Sequence, residues 1–305
     1  MSVQRSALAH VSGHLKFGAS TYIYSQQPIA VNLVTAREDV GVDGLGRVRQ
    51  PVTSRYLEIT VMPVEFEHFS TLMTPYATMV AGASIFGDTD VPLVLHGRNG
   101  KSYTFHASAP TSFGIVGKTG RPIFNTLTFT AILANNKAPG DAGAYWTEAT
   151  TTYPGDSNFS KAACITPALA AAWGASPFDV FHLGEGLDIA FALALENDMV
   201  DGLGLVDMKF QDCIVNASGV PVGVTAAQLY TAANVDSVLG SQATENDLIL
   251  SGTGFHFTAY NATLTDPKLA FSAASRVPGQ VVWTTNRTLT SGSLNPCFRI
   301  AAAAP

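Results

Sequence analysis

Residues 42–46 read Val42-Asp43-Gly44-Leu45-Gly46, and the same five residues return as Val200-Asp201-Gly202-Leu203-Gly204. The Asp-Gly pair supplies the backbone geometry of a tight turn, so each copy predicts the tip of a β-hairpin. Residues 57–61, after the first tip, alternate between apolar and polar side chains, and residues 189–195, before the second, alternate between large apolar side chains and alanine. This period of two is typical of half-buried antiparallel strands.

Other matches keep the same order along the chain and nearly the same spacing. Phe17-Gly18-Ala19-Ser20 returns as Trp173-Gly174-Ala175-Ser176. Near the end of each half, Phe124 is matched with Trp283. Collinear matches of this kind predict that one domain is present twice in tandem.

Each half also predicts one helix after its hairpin. In the first half, apolar residues at helical spacing follow Pro63 over residues 64–76. In the second half, Thr225-Ala226-Ala227-Gln228 has the pattern of a capping box. Residues 137–160 are rich in Gly, Ala, Thr, Pro and Asp and predict a linker, and residues 167–173 predict a further short helix.

The predicted fold class is therefore mainly β, with two tandem antiparallel β-barrel or sandwich domains, each flanked by one α-helix. Residues 1–145 are expected to form the first domain with the start of the linker, and residues 146–305 the second. A chain of 305 residues is long enough for each domain to bury its own core.

The composition excludes some classes of function. Only 13% of the residues are charged, the net charge is −6, and Lys and Arg form no run. A surface that reads DNA sequence needs clustered cations, so we do not expect one. No apolar stretch approaches the roughly 20 residues that span a membrane. Three widely spaced cysteines imply neither a disulfide framework nor a zinc site, which fits a soluble protein made in a reducing cytoplasm.

The low charge leaves two interpretations open: extensive burial of surface in an assembly, or a surface covered by Thr, Ser and Asn. No pattern predicts catalysis. None of the seven histidines has a metal-ligand spacing, and Gly202-Leu203-Gly204 lacks the third glycine of a dinucleotide-binding loop. We therefore predict a protein that is not an enzyme and has no cofactor, no metal ion and no catalytic residue.

The two hairpins are the candidate functional segments because they combine glycine-containing tips with charged side chains. Mixed charge suits contacts between subunits, where opposite signs on facing surfaces fix the register. A second interpretation gathers the acidic side chains around Ca²⁺, although their spacing matches no calcium-binding loop. The candidate residues are Arg37, Glu38, Asp39, Asp43, Arg47, Arg49, Arg55, Glu196, Asp198 and Asp201.

Five features together resemble one known family: the long acidic hairpin, the helix that begins behind Pro63-Val64, the stretch Gly87-Asp88-Thr89-Asp90-Val91-Pro92-Leu93-Val94-Leu95-His96-Gly97, the strand over residues 101–106 and the strand over residues 127–131. The chain is similar in these features to the tail tube proteins (major tail proteins) of long-tailed bacteriophages, in their two-domain, duplicated variant. The resemblance covers most of the first copy and, more loosely, the second.

Tail tube proteins form stacked rings of six small β-domains around a channel, so the resemblance implies that three two-domain chains complete one ring. It implies a structural virion protein of the phage tail, assembled in the bacterial host cytoplasm. The implied partners are copies of itself, the tape measure protein, and the tail terminator and baseplate proteins. DNA would pass in transit without specific binding, no membrane is involved, and the hairpin residues would lie between rings or at the lumen.

Two alternative functions remain open from the sequence. One is a baseplate hub or distal tail ring protein that shares the duplicated domain. The other is a duplicated β-barrel that binds a ligand at the cleft between the copies. Ligand binding favours converging aromatic residues, whereas Trp146, Trp173 and Trp283 are scattered along the chain.

Overall fold

The computed structural model describes residues 2–64, 67–117, 124–159, 169–175, 178–233, 244–252, 255–272, 275–287, 289–290, 293–294 and 296–301. Across these residues the protein is mainly β, with large antiparallel sheets and two helices. The predicted fold class is confirmed at this level.

In the described residues of the first half, seven strands precede a single helix and five strands follow it. Its elements are β1 (Ser2–Val11), β2 (Gly13–Phe17), β3 (Thr21–Tyr24), β4 (Ile29–Arg37), β5 (Val40–Val42), β6 (Gly46–Arg49), β7 (Val52–Val61), α1 (Glu67–Thr78), β8 (Leu93–Gly97), β9 (Lys101–Phe105), β10 (Ala107–Gly117), β11 (Leu127–Ile132) and β12 (Trp146–Thr150).

The second half repeats this plan with fewer and longer strands. Its elements are β13 (Ala170–Trp173), β14 (Phe181–Val200), β15 (Gly204–Val222), α2 (Ala226–Ala232), β16 (Glu245–Gly252), β17 (Phe255–Ser272), β18 (Ser275–Thr285), β19 (Leu289–Thr290), β20 (Ser293–Leu294) and β21 (Phe298–Ala301).

The two halves have the same map of strand pairing. In the first half the pairs are β4–β7, β7–β11, β11–β10, β8–β9, β2–β8 and β9–β12. The corresponding pairs in the second half are β14–β15, β15–β18, β18–β17, β16–β17, β13–β16 and β17–β21. The single strand β17 takes the places of both β9 and β10.

Register as well as order is repeated. Val31, Ile59 and Phe129 lie side by side on β4, β7 and β11. Ile189, Ala217 and Trp283 lie side by side on β14, β15 and β18 in the same way. Trp283 therefore occupies the position of Phe129, and the sequence match of Trp283 with Phe124 was wrong.

Two other local predictions were wrong for a shared reason. Residues 170–173 form strand β13 rather than the end of a helix, because they pair with β16 and with β14. Residues 146–150, placed in the linker and the second domain, form β12 and pair with β9. In both places long-range strand pairing overrides local propensity. The first half's pairing thus extends beyond Tyr145, the predicted end of the first domain.

The helices follow the predictions more closely. α1 begins at Glu67 within the predicted segment and ends at Thr78, and residues 65–66 lie outside the described part of the chain. At α2 the predicted capping box is present, because the Thr225 side chain accepts from the Gln228 amide and the Gln228 side chain accepts from the Thr225 amide. Residues 160–168, which include the rest of the predicted short helix, also lie outside the described part.

One sheet runs from the first copy into the second. Residues 113–117 of β10 pair with residues 187–191 of β14, in the order Phe113↔Phe191 to Gly117↔Leu187. The rings of Phe113 and Phe191 lie 4.6 Å apart at their centroids, and one buried apolar cluster includes side chains of both copies. The two copies are therefore joined by main-chain hydrogen bonds and by a shared core.

Candidate assembly interface

The two repeated pentapeptides form the same reverse turn. The amide of Leu45 donates to the carbonyl of Val42 over 3.0 Å, and the amide of Leu203 donates to the carbonyl of Val200 over 3.1 Å. Gly44 and Gly202 both have φ of 77°. A positive φ at this position requires glycine, so the sequence repeat dictates the shared shape of the tips.

We define the first arm as residues 38–50, which contain β5, β6 and the turn between them, and the second arm as residues 192–211, which contain the ends of β14 and β15 and the turn between them. The second arm lies on the first copy of the domain. A Cβ atom added to Gly204 would lie 3.2 Å from the Cα of Ser54, at the start of β7. A cleft of about 480 Å³ at this contact is lined by residues 51–55 and 201–204 together with Tyr145.

Apolar side chains bury the base of the second arm. Leu205 and Met208 join a buried cluster whose other members come from the first copy: Phe86, Ala107, Ala109 and Ile132. Phe210 is fully buried next to them in sequence and lies in the main core. Burying side chains of this size stabilises the contact by roughly 1.5–3 kcal/mol each relative to exposure.

Main-chain hydrogen bonds also hold the second arm. The loop after α1 runs along β15: the amide of Gly82 donates to the carbonyl of Phe210 over 2.7 Å, and the amide of Ile85 donates to the carbonyl of Met208 over 3.0 Å. The hydroxyl of Ser84 donates to the carboxylate of Asp207 over 2.6 Å. The second arm is thus fixed to the first copy both by packing and by hydrogen bonds.

Among the residues that the structure describes, the first arm has no comparable support. Every residue of β5 and β6 is exposed, and a Cβ atom added to Gly46 would meet no atom within 4 Å. Four exposed apolar side chains lie on this arm: Val40, Val42, Leu45 and Val48. Leu45 is 75% exposed, whereas Leu203, its equivalent on the second arm, is 37% exposed. Exposed apolar side chains on a projecting hairpin are typical of a contact with another molecule.

Several of the predicted site residues form polar contacts on the two arms. On the first arm, Arg47 lies 3.5 Å from Asp39, and Gln50 donates to the same carboxylate over 2.5 Å. On the second arm, Lys209 lies 3.1 Å from Asp198, and Gln211 donates to Glu196 over 2.6 Å.

The other predicted residues are distributed around these pairs. Arg37 and Arg55 lie on β4 and β7 at the base of the first arm, Glu38 precedes β5, Asp43 and Asp201 are in the two turns, and Arg49 ends β6. Among the described residues, no three His, Cys, Asp or Glu side chains lie close enough to hold a metal ion. The calcium interpretation of the acidic tips therefore gains no support.

Sequence reasoning missed Arg287, which fastens the second copy to the first. Its guanidinium donates to the carbonyls of Tyr76 and Met79, each over 3.0 Å, at the C-terminal end of α1. The same group lies 5.0 Å from the ring centroid of Phe210, and its Nε lies 3.3 Å from Asp212. A cation at a helix C-terminus satisfies carbonyls that lack partners within the helix. No sequence signal identifies this contact, because its acceptors are main-chain atoms about 210 residues away.

A second group of polar residues holds the segment that connects the copies. Nδ1 of the buried His14 lies 3.0 Å from the Tyr153 hydroxyl, and that hydroxyl donates to Asp156. Arg98 donates to the same carboxylate over 2.6 Å. Burial, followed by the charge of His96, lowers the pKa of His14 to about 4. The connector is thereby attached to the first copy by a neutral histidine at ordinary pH.

The chain matches no protein-family model and no curated protein. In the part of the chain that the structure describes, neither helix has the length and apolarity needed to cross a membrane.

Proposed function

We propose that this protein is a structural subunit of a bacteriophage tail tube, in which three chains form a ring of six equivalent domains and the rings stack around a channel for DNA and the tape measure protein. The observation that carries the proposal is the junction between the two copies. Strands β10 and β14 continue one sheet from copy to copy, and the second arm lies on the preceding copy.

In this junction the second copy contributes its arm and the first copy contributes the surface under that arm. The first copy has its own arm, and that arm is exposed. The arm of the first copy therefore stays available for a contact with another chain. Repeating the junction between chains would make heterologous contacts, each joining two different surfaces, and such contacts form a ring when the rotation from copy to copy closes. Three chains of two copies each fit the six-domain ring that the resemblance implies.

The exposed first arm fits the same proposal. In a free chain, Val40, Val42, Leu45 and Val48 present apolar surface to water, which a neighbouring chain would remove. The low proportion of charged residues, 13%, is also expected where much of the surface is buried between subunits. Net negative charge suits a channel that must not retain DNA.

The test is assembly of the purified full chain, followed by light scattering for mass and by negative-stain microscopy for shape. We expect trimeric rings and hollow tubes. Rings that never stack would favour the baseplate hub or distal tail ring. A stable monomer at every concentration would contradict the whole class and leave the ligand-binding barrel as the better interpretation.

A deletion of residues 40–46 tests the role of the first arm. These residues are exposed and lie beyond the ends of β4 and β7, so the deletion should leave the fold intact and prevent tube formation. The matched point variants are Leu45→Ser on the arm and Val80→Ser outside it, since Val80 is also an exposed apolar residue. Tubes of normal length from the deletion variant would show that the arm has no part in assembly.

A further inference from the structure

We propose that β1 covers, in the free chain, the sheet edge to which a second copy of this chain binds, and that β1 is displaced when chains assemble. The inference rests on the proposed function and specifies which strands form the contact between chains. It follows from comparing the outer edges of the equivalent strands β4 and β14.

Within the chain, the outer edge of β14 receives β10 from the preceding copy. The register joins Ile115 to Ile189 and Gly117 to Leu187, in antiparallel direction. The pairing map makes β4 the equivalent of β14, with Val31 at the position of Ile189. The outer edge of β4 is therefore the place where the preceding copy, from another chain, is expected to pair.

That edge is occupied by β1 of the same chain. Strand β1 pairs with β4 in antiparallel direction along its whole length, from Ser2↔Arg37 to Val11↔Ile29. Ala9 lies opposite Val31 and thus takes the place that Ile115 has opposite Ile189. The direction of the strand and the position of the contact are the same, and only the origin of the strand differs.

Val11 of β1 is buried opposite Ile29, but further along the contact β1 has a smaller side chain than β10 has at the equivalent position. Phe113 and Ile115 of β10 are both buried, and Phe113 packs against Phe191. At the corresponding place β1 supplies the small residue Ala9, and the neighbouring Leu8 is exposed. Because burial of large apolar side chains contributes most to such a contact, a strand with larger residues is expected to displace β1.

The second copy provides an incoming strand with a free edge. Residues 266–271 of β17 are at the position of residues 112–117 in the first copy, and residues 266–272 pair with β18 on one side. On the other side they have no pairing partner among the residues that the structure describes. The sequence there, Asp266-Pro267-Lys268-Leu269-Ala270-Phe271-Ser272, includes larger apolar residues than β1 offers.

Within the described part of the chain, β17 thus has an unpaired donor edge and β4 a covered acceptor edge. An uncovered edge presents unpaired main-chain groups and promotes uncontrolled association. Covering one of the two edges keeps free chains apart, and its exchange for β17 of a neighbour joins them with little net change in main-chain hydrogen bonding.

A reversible crosslink between β1 and β4 tests the displacement. His10 and Ala30 are register partners, and neither is buried, so the double variant His10→Cys with Ala30→Cys can form a disulfide across the two strands. When oxidised, this variant should form no rings or tubes, and a reducing agent should restore assembly. The same negative-stain and light-scattering measurements apply.

The control keeps the cysteine at residue 30 and moves its partner to β7. Thr60 is the register partner of Ala30 on that side, and the pairing of β4 with β7 is expected to persist in the assembly. The oxidised variant Ala30→Cys with Thr60→Cys should therefore assemble like the unmodified chain. This control also accounts for any effect of oxidation on the native buried thiols of Cys213 and Cys297.

The outcomes separate this inference from the proposed function. Assembly of the oxidised β1–β4 variant at the rate of its control, or failure of its disulfide to form in the free chain, would overturn the displacement of β1 while leaving the tube subunit in place. An unmodified chain that never assembles would overturn both.

Discussion

The two arms begin from the same five residues and lie in different surroundings. The turn, its hydrogen bond and the positive φ of its glycines are the same in both. Yet a Cβ atom added to Gly204 of the second tip would lie against Ser54 of the first copy, while one added to Gly46 of the first tip would meet no described atom within 4 Å. The difference therefore lies in the strands beside the turn and in the surfaces available to them.

The residues that follow each turn explain the difference. After the second tip, Leu205, Met208 and Phe210 are buried. The corresponding residues after the first tip are Arg47, Gln50 and Val52, which the chain leaves exposed or half-buried. Where the second arm offers these apolar side chains, the first arm offers Arg47 and Gln50, and polar or charged groups are costly to bury without partners. Turn chemistry thus sets the shape of a hairpin, and the composition of its strands decides where the hairpin binds.

The largest effect on stability is expected from the loss of the Arg287 contacts, which hold the second copy, with its docked arm, on the first copy. We expect Arg287→Ala to lower the free energy of unfolding by about 3 kcal/mol, because two charge-assisted hydrogen bonds to α1 disappear and their carbonyls lose partners. Arg287→Lys should recover only part of this loss, since an ammonium group lacks the planar fork. Denaturant unfolding measures both variants.

The control for this prediction is Arg299→Ala, which removes an exposed arginine from β21 of the same copy. We expect it to have little effect on stability. Equal losses for the two alanine variants would mean that Arg287 does not fasten the second copy to the first.

Acidification should have the next largest effect on stability, and this effect should arise in the first copy. The pKa of His14 is lowered from 6.5 to about 4 by burial and then by His96, with Arg98 acting in the same direction and Asp156 opposing it. At pH values between these two limits the unfolded chain binds a proton that the folded chain does not. The stability that His14 contributes is therefore complete above about pH 6.5 and decreases as the pH falls towards 4, with about 2 kcal/mol lost at about pH 5.

The measurement is denaturant unfolding at about pH 7.5 and about pH 5, with His14→Asn as the variant that cannot titrate. The wild-type chain should lose more stability on acidification than the variant. In the second copy Ala170 is in the equivalent position, paired with Ser251 as His14 is paired with His96, so this pair contributes no matching dependence. If the wild-type chain and His14→Asn lose the same stability between these pH values, protonation of His14 does not destabilise the fold.

The features that the sequence predicted are those that local chemistry dictates. The repeated turn follows from glycine at positions of positive φ, and the α2 capping box follows from Thr225 and Gln228, three residues apart. Alternation predicted the long strands for the same reason, because each residue reports which face it occupies.

Features that depend on distant partners were not predictable in this way. The alanine-rich residues 170–173 have helical propensity, and only pairing with β16 makes them a strand. At the candidate interface, the sequence predicted charged candidate residues on both hairpins, but it did not predict the surface that receives the second arm. Leu205, Met208 and Phe210 could be read as apolar from the sequence, whereas the loop after α1 that covers them is more than 100 residues away.

A pair of glycine substitutions compares the two tips directly. Gly46 and Gly204 have φ of 72° and 82°, so alanine is strained at both and should cost each arm about 1 kcal/mol. At Gly204 the new Cβ atom would also approach main-chain atoms of Ser54. We expect Gly204→Ala to be less stable than Gly46→Ala by about 1 kcal/mol in unfolding experiments. Equal losses would mean that the second tip is not held against the first copy in solution.

The ion pairs of the two arms should give the smallest effect on the free chain. Asp39–Arg47 on the first arm and Asp198–Lys209 on the second are both well exposed to solvent. Exposed pairs contribute little to stability, so Arg47→Ser and Lys209→Ser should unfold like the unmodified chain. In assembly the two substitutions should differ, because the second arm already lies on the first copy, whereas the first arm makes no such contact with the described residues. Arg47→Ser should change how strongly tube formation depends on salt, and Lys209→Ser should not, since charges at a rim between subunits act through screened, long-range attraction. Turbidity measured over a series of salt concentrations compares the variants. If tube formation depends on salt in the same way for both variants, the first arm is not the arm that contacts a neighbouring chain.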